Sequence, residues 1–469
     1  MSKILLIKPR LLGLEWTAIT QPMGLTYIGA TLKKAGHEPK IHDCALDYKD
    51  LHVLISTIKD WKPDLVGISI IITELEQTKI IMGIIREILP EVPVTFGGPW
   101  PSANPEETIK TFKADFVVIG EGELVFPKLI DAINKGLPTD SIAGTASIVN
   151  GNVKINPGQQ LTEKELDALP FPAWELLNHK LYAKIPTQSL VGGRPYMAIV
   201  TSRGCPYHCA YCHQTMGKVF RKRSVQSVLA EMEELRFKYG FKEFEIIDDC
   251  FNLDRKRMYE ILTGIRDRLS DVKLHFPNDL RTDILEQEDM ALLKQAGTVS
   301  ASFAIETSSP RMQEMIRKNL NIEKVVCAIN AAVDAGIYST GFFMIGFPTE
   351  TYKEACDTID FAASSSLHRV LLFNPIPFPG TGLAEMAADT LKNKNLIFDP
   401  QKINYHTSTL NISAMSDREF NRVFRKAYIR LYLNPKSILK IIMHHPNILS
   451  LPRSFVTLIR ILLREHRAA

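Results

Sequence analysis

Three cysteines, Cys205, Cys209 and Cys212, fall within eight positions in the stretch TSRGCPYHCAYCHQT, residues 201–215. Thiols so closely spaced in a reducing compartment bind metal or do chemistry more often than they form disulfides. Two donor sets suit them. A structural zinc ion needs four closed ligands, and His208 or His213 is the nearest candidate for the fourth. An iron–sulfur cubane has four irons, so three thiolates leave one iron open. An open metal position is what a catalytic site keeps for a substrate or cofactor. The spacing alone leaves both readings standing.

The elements that must position this loop are read from the apolar pattern. Upstream, KILLIK (3–8), PKIHDC (39–44), DLVGISI (64–70), VPVTFGG (92–98) and DFVVIGEG (115–122) read as strands. Helical patterns at 24–35, 50–61, 74–89, 105–112 and 123–134 alternate with them. The expectation is an α/β fold that opens with a five-stranded, doubly wound parallel sheet. Ligands of such sheets bind beyond the carboxyl ends of the strands, where GGPW (97–100) and GEGE (120–123) lie. A second alternating region has strands expected at 196–202, 244–248, 273–276, 299–305, 339–346 and 369–374. Six β-α units imply a partial (β/α)6 barrel of the TIM type, whose chemistry sits at the carboxyl ends of its strands. The cysteines follow its first strand directly. The expected division is 1–140 for the front domain, 141–190 for an irregular linker, 191–395 for the barrel and 396–469 for a helical, basic extension.

Cys-x-x-x-Cys-x-aromatic-Cys after the first barrel strand, with Tyr211 as the aromatic residue, resembles the signature of the radical S-adenosylmethionine enzymes. EIIDDCF (245–251), LRTD (280–283), AIETSS (304–309), GFFMIGFPTET (341–351) and NPIPFPGT (374–381) resemble family segments in the expected order. The resemblance implies a 4Fe-4S cluster held by Cys205, Cys209 and Cys212, with S-adenosylmethionine chelating the open iron. It implies contacts to that cofactor from Asp248, Arg281 and Glu306, with Gly346 and Phe347 bordering the adenine. Beside these stand plainer readings. Asp249 would cap a helix, and Arg281 would pair with Asp283 or Glu286 at the surface. Of the remaining cysteines, Cys327 and Cys356 read as buried and inert, and Cys250 adjoins the barrel mouth. Only Cys44 precedes residue 205, so the extra cysteine triplet of the sulfur-inserting radical enzymes is missing.

QPMGLTYIGATLKKAGHE (21–38), FGGPWPS (96–102) and DFVVIGEGE (115–123) resemble the cobalamin-binding branch of that family. The resemblance covers two-thirds to four-fifths of the chain. It implies a corrin bordered by Ser69, Thr73, Gly97, Gly98, Glu121 and Gly122, with Trp100 either against it or in the core. Cobalamin proteins with a lower histidine carry Asp-x-His-x-x-Gly. Here Asp43 is followed by Cys44, Ala45 and Leu46, so no protein histidine is expected below the cobalt. His37 and His42 read as ordinary polar residues. The activity implied is methyl transfer to an unactivated carbon. One S-adenosylmethionine yields a 5′-deoxyadenosyl radical, a second methylates the corrin, and an external reductant supplies single electrons. Ring closure or oxidation without methyl transfer is the alternative, and a metal-binding module without turnover is the second.

The 469 residues are too many for one core, and 45% apolar with 23% charged is ordinary for a globular protein. Seven cysteines are too few for a disulfide framework. MSKILLIKPR lacks the long apolar run of a signal peptide, and no stretch is apolar enough to span a bilayer. The expected location is the cytoplasm. From Asn421 to Ala469, ten Lys and Arg stand against the single acid Glu465, a net charge of about +9 on a chain whose total is +4. Residues 420–435 read as a helix docked on the barrel. Residues 437–463 read as a basic amphipathic segment suited to the inner face of a membrane and to a hydrophobic or lipid-like small-molecule substrate. No nucleic-acid module is recognisable, so nucleic acid is not an expected partner.

Overall fold

The computed structural model describes residues 1–10, 20–46, 51–185, 187–189, 191–213, 215–399 and 410–447. The chain forms two compact units, Met1–Pro186 and Thr187–Ala469.

In the first unit, β1 (Lys3–Lys8), β2 (Glu38–Asp43), β3 (Leu65–Ser69), β4 (Val94–Gly97) and β5 (Phe116–Val118) pair in parallel in the order β2-β1-β3-β4-β5. The apolar run of β1 is continuous because both faces of the sheet are covered. Its side chains alternate between two cores. Leu5 and Ile7 join Val66, Ile68 and Phe96 on one face, whereas Ile4 and Leu6 join Leu65, Val118 and Phe126 on the other. Each such fully buried aliphatic side chain contributes roughly 2 kcal/mol. The order reverses between β1 and β3, which creates the crevice of a doubly wound fold.

The sheet has seven strands, two more than expected. β6 (Thr145–Val149) and β7 (Asn152–Ile155) form an antiparallel hairpin on β5, inside the stretch read as an irregular linker. The turn between them is Asn150-Gly151, with φ of +50° and +79°. An Asn-Gly pair between alternating residues is the strongest short signal for a hairpin.

In the second unit, β8 (Tyr196–Ile199), β11 (Glu243–Ile246), β12 (Lys273–Phe276), β13 (Thr298–Glu306), β14 (Tyr338–Met344) and β15 (Arg369–Phe373) form one parallel sheet in sequential order. Sequential parallel neighbours joined by helices are the topology of an open (β/α)6 barrel. A short antiparallel ribbon, β9 (Ser202–Arg203) with β10 (Arg221–Lys222), brackets the cysteine loop. The connecting helices are capped locally. Asp254, Asn321 and Thr351 each accept the backbone N–H three residues on, worth about 1 kcal/mol per cap. Helix Asp417–Tyr432 buries Phe420, Val423, Phe424, Ala427 and Leu431 and packs on helix Tyr352–Ser364. The expected tail segment 437–463 is described through residue 447; the remainder lies outside the described residues. Among the described residues, no helix is long and apolar enough to cross a membrane.

Candidate functional site

The cysteine loop leaves β9 at Gly204 and returns at β10. Gly204 has φ of +84°, and a Cβ there would come within 2.3 Å of the Val219 carbonyl oxygen. Only glycine fits such a place. Its N–H donates to Asp249 Oδ2 at 3.2 Å. The Cys205 N–H donates to the Gly217 carbonyl at 3.2 Å, the Ala210 N–H to the Ile316 carbonyl at 2.8 Å, and the Leu383 N–H to the Ala210 carbonyl at 2.8 Å. Lys218 Nζ closes the loop onto the Tyr207 carbonyl. The thiols are therefore presented by a backbone fixed from several sides.

Burial raises the Cys205 thiol and pushes the Cys212 thiol up to about 11, where neighbouring Cys209 adds to the effect. Thiols in this setting ionise together only beside a strong cationic centre. Among the described residues, no three His, Cys, Asp or Glu side chains converge as around a single metal ion. A cubane takes one thiolate per iron and does not require that convergence. The candidate fourth zinc ligand His213 has its ring 4.4 Å from that of Phe378.

Tyr211 links the loop to the barrel. Its hydroxyl donates to Glu306 Oε1 at 2.9 Å, and its ring lies 5.9 Å from that of Phe347. Glu306 ends β13 with φ of +68° and is buried. Lys318 Nζ meets the same Oε1 at 3.1 Å and lies 3.8 Å from Asp279 Oδ2. Burial works to lower Lys318, but Glu306, Asp279 and Cys209 outweigh it and raise its pKa. Asp279 is pushed up to about 6 by burial, against the pull of Lys318. Neither Lys318 nor Asp279 stood out in the sequence.

The other expected contacts divide. Arg281 is buried, not at the surface. Its Nε donates to Asp283 Oδ1 at 2.6 Å, and its guanidinium lies 4.0 Å from the Tyr207 ring centroid. The Asp248 oxygens are taken up by the chain: they accept from the Thr201 N–H at 2.6 Å and from the Thr201 and Ser202 hydroxyls at 2.5 Å each. Asp249 holds the Gly204 N–H at the loop's start and does not cap a helix. The N–H groups of Gly346 and Phe347 both donate to Glu350 Oε2, at 2.5 and 3.2 Å. Glu350 is fully buried and its other oxygen has no partner; burial pushes its carboxyl up to about 8 despite those two bonds. Cys250 is buried beside Asn252, and burial raises its thiol. Cys327 is exposed and Cys356 half-buried, contrary to expectation. The buried stripe of helix Ile322–Asp334 is Val325, Ala328, Ile329 and Ala332, which leaves Cys327 off it.

In the first unit, Ser69, Thr73, Gly97, Gly98, Glu121 and Gly122 gather at the carboxyl edge of the sheet. Gly98 has φ of +94°, and a Cβ there would lie 2.9 Å from both Ser69 Oγ and the Ile70 carbonyl oxygen. The Thr73 hydroxyl is buried without a partner. Glu121 Oε2 accepts the Leu161 N–H at 2.6 Å. Lys8 Nζ pairs with buried Glu74 at 2.5 Å on the same edge. Asp43 accepts the Tyr182 hydroxyl at 2.5 Å and the Ala45 N–H at 2.9 Å. Trp100 is half-buried against the aliphatic core. His37 and His42 are both buried.

Residues 9–130 match the B12 binding domain family and residues 199–362 the radical SAM superfamily. An uncharacterized methyltransferase of Pyrococcus horikoshii is 32% identical over 427 residues, covering 90% of each chain. The chain belongs to the cobalamin-dependent radical S-adenosylmethionine methyltransferase family. The cytidylyl-2-hydroxyethylphosphonate methyltransferase of Streptomyces wedmorensis is 28% identical over 93% of this chain and 92% of its own. The solved methyltransferase TsrM from Kitasatospora setae, with cobalamin and a 4Fe-4S cluster bound, shares the fold with a TM-score of 0.70, at 21% identity over 83% of this chain and 79% of that one.

Members of this radical methyltransferase family work with a 4Fe-4S cluster, S-adenosylmethionine and cobalamin. The residues present fit those groups. Three thiols sit on a loop held by backbone hydrogen bonds. The front edge offers an unpartnered Thr73 hydroxyl beside the close approach of Gly98 to Ser69, and no histidine follows Asp43 in the position of a lower ligand.

Proposed function

We propose that this chain transfers a methyl group to an unactivated carbon of a small molecule, using two molecules of S-adenosylmethionine in different roles. The three-thiol loop, locked at the mouth of an open barrel in a chain that matches a methyltransferase relative along 90% of its length, carries this reading. When bound, the cluster and S-adenosylmethionine supply a radical that abstracts hydrogen, and cobalamin supplies the methyl carrier.

Cys205, Cys209 and Cys212 would each hold one iron of the cluster. Tyr211 and Phe347 form one wall beside the loop. Glu306, ion-paired with Lys318, would face the polar part of S-adenosylmethionine, with Arg281 close by. Gly346 and Phe347 border the adenine on a turn braced by Glu350. Asp248 acts at one remove, by fixing Thr201 and Ser202 just before the loop. Ser69, Thr73, Gly97, Gly98, Glu121 and Gly122 would border the corrin, and the Asp-x-His pattern that supplies a histidine ligand is missing after Asp43. An external one-electron reductant drives the reaction. The basic, apolar tail supports a hydrophobic or lipid-like substrate.

The test is turnover of S-adenosylmethionine carrying a trideuterated methyl group, with polar and lipid extracts offered as substrate. A product bearing the labelled methyl supports methyl transfer. A product that lacks the label but forms together with 5′-deoxyadenosine moves the assignment to ring closure or oxidation.

A further inference from the structure

The outer face of the C-terminal helices combines exposed apolar side chains with cations. Helix Asp417–Tyr432 turns Phe420, Val423, Phe424, Ala427 and Leu431 inward. Its opposite face presents Arg422, Arg425 and Ile429, and Leu433 follows on that side just past the helix end, all exposed at helical spacing. The next helix, Pro435–His444, continues that face. Lys440 Nζ donates to the Ser365 carbonyl at 2.9 Å, and the His444 ring lies 4.9 Å from that of His368. These contacts fix the helix by one side. Leu439, Ile442 and Met443 are left 56%, 48% and 66% exposed. A groove of 680 Å³ lies at the junction, lined by Arg422, Arg425, Lys426, Arg430 and the apolar Ile429 and Leu433. Asp360 neutralises part of this charge through Lys426 and Arg430. From Asn421 to Asn447 the sequence holds six Lys and Arg and no acid.

We propose that this face is an interfacial docking surface for a bilayer containing anionic lipid. The apolar ridge Leu439, Ile442 and Met443 enters the acyl boundary, and Arg422 and Arg425 meet anionic headgroups at the groove. The charge decides the occupant: apolar side chains rimmed by cations fit an anionic amphipathic interface. The inference does not depend on which reaction the barrel performs. Helix Asp417–Tyr432 docks on the barrel by one face, as expected for residues 420–435, and its other face is exposed.

The full chain is floated with vesicles of phosphatidylcholine alone and of phosphatidylcholine with phosphatidylglycerol. Binding is expected only with phosphatidylglycerol, and to fall at least about tenfold as salt is raised through the physiological range. Arg422→Glu with Arg425→Glu, and separately Leu439→Ser with Met443→Ser, should each lower binding about tenfold. Both should leave iron content and S-adenosylmethionine cleavage unchanged, since all four side chains are exposed. Equal binding to neutral vesicles overturns the proposal. So does undiminished binding of both variants, which would assign any attachment to other residues. Concentration-dependent self-association abolished by Leu439→Ser with Met443→Ser would overturn it in favour of a second copy of the chain.

Discussion

Replacing Lys318 with methionine should destabilise the barrel unit and leave the front unit untouched. Lys318 and Glu306 are both buried, with Nζ and Oε1 3.1 Å apart. At an effective dielectric constant of about 20, unit charges at that distance attract by roughly 5 kcal/mol. Deleting one partner strands the other, which typically costs about 3–5 kcal/mol. Protonation of Asp279, whose carboxyl already sits at about 6, relieves part of the loss at neutral pH. With a urea dependence of about 3 kcal/mol per molar, the barrel midpoint should fall by about 1 M. The chain offers separate probes. All four tryptophans, Trp16, Trp61, Trp100 and Trp174, precede residue 187, so their fluorescence follows the first unit alone. Iron–sulfur absorption follows the second. Lys318→Met should shift the absorption transition and not the fluorescence one. Adding Glu306→Gln should recover at least half of the shift. A shift below about 0.3 M, or losses that merely add in the double variant, would refute the buried-pair reasoning.

Three further outcomes follow from the same geometry. Glu350 has its carboxyl raised from an ordinary 4.5 to about 8, so the folded chain keeps a proton that the unfolded chain has lost across that window. Stability should therefore fall as pH rises from about 5 to 8, by up to about 1.4 kcal/mol per unit; Glu350→Gln should flatten that slope in urea titrations of the barrel, and an unchanged slope would contradict the assignment. Gly204→Ala should reduce reconstituted iron below about a tenth of wild type, because the Cβ meets the Val219 carbonyl oxygen and φ is positive; normal iron content would show that the loop can move aside. Asp248→Asn should weaken cluster retention while leaving the affinity for S-adenosylmethionine within about threefold in the fraction that retains iron, and the reverse pattern in equilibrium binding would make Asp248 a direct contact.

Much of this architecture could be read from residue order. The six barrel strands were placed within two residues, except that the first ends at Ile199 rather than at 202, because each is a short apolar run followed by a helical pattern. Strands β1 to β4 were placed as closely and β5 ends at Val118 rather than at 122; the central strands are buried on both faces and therefore read as apolar runs, whereas the edge strand β2 does not. The hairpin of β6 and β7 was missed although Asn150-Gly151 announces it, because buried Ser147, exposed Lys154 and the flanking asparagines lower the apolar density. The cluster cysteines were legible because donor spacing is local. Lys318 and Asp279 were not, since their meaning lies in Lys318 meeting both Asp279 and Glu306 from separate segments of the chain. Arg281 was ambiguous for the same reason: local sequence supplies Asp283 as a partner but not the Tyr207 ring or the burial. Cys327 was misjudged because an alanine- and valine-rich helix carries apolar residues on more than one face.

The most direct test of the central claim is nucleoside analysis of the anaerobically purified full chain, reconstituted with iron, sulfide and cobalamin and given S-adenosylmethionine and a strong reductant. The account predicts 5′-deoxyadenosine together with S-adenosylhomocysteine, the second only when cobalamin is present, and the loss of 5′-deoxyadenosine when Cys205, Cys209 or Cys212 becomes alanine. A preparation with full iron and corrin that yields neither nucleoside, or yields 5′-deoxyadenosine unchanged in the cysteine variants, would contradict it.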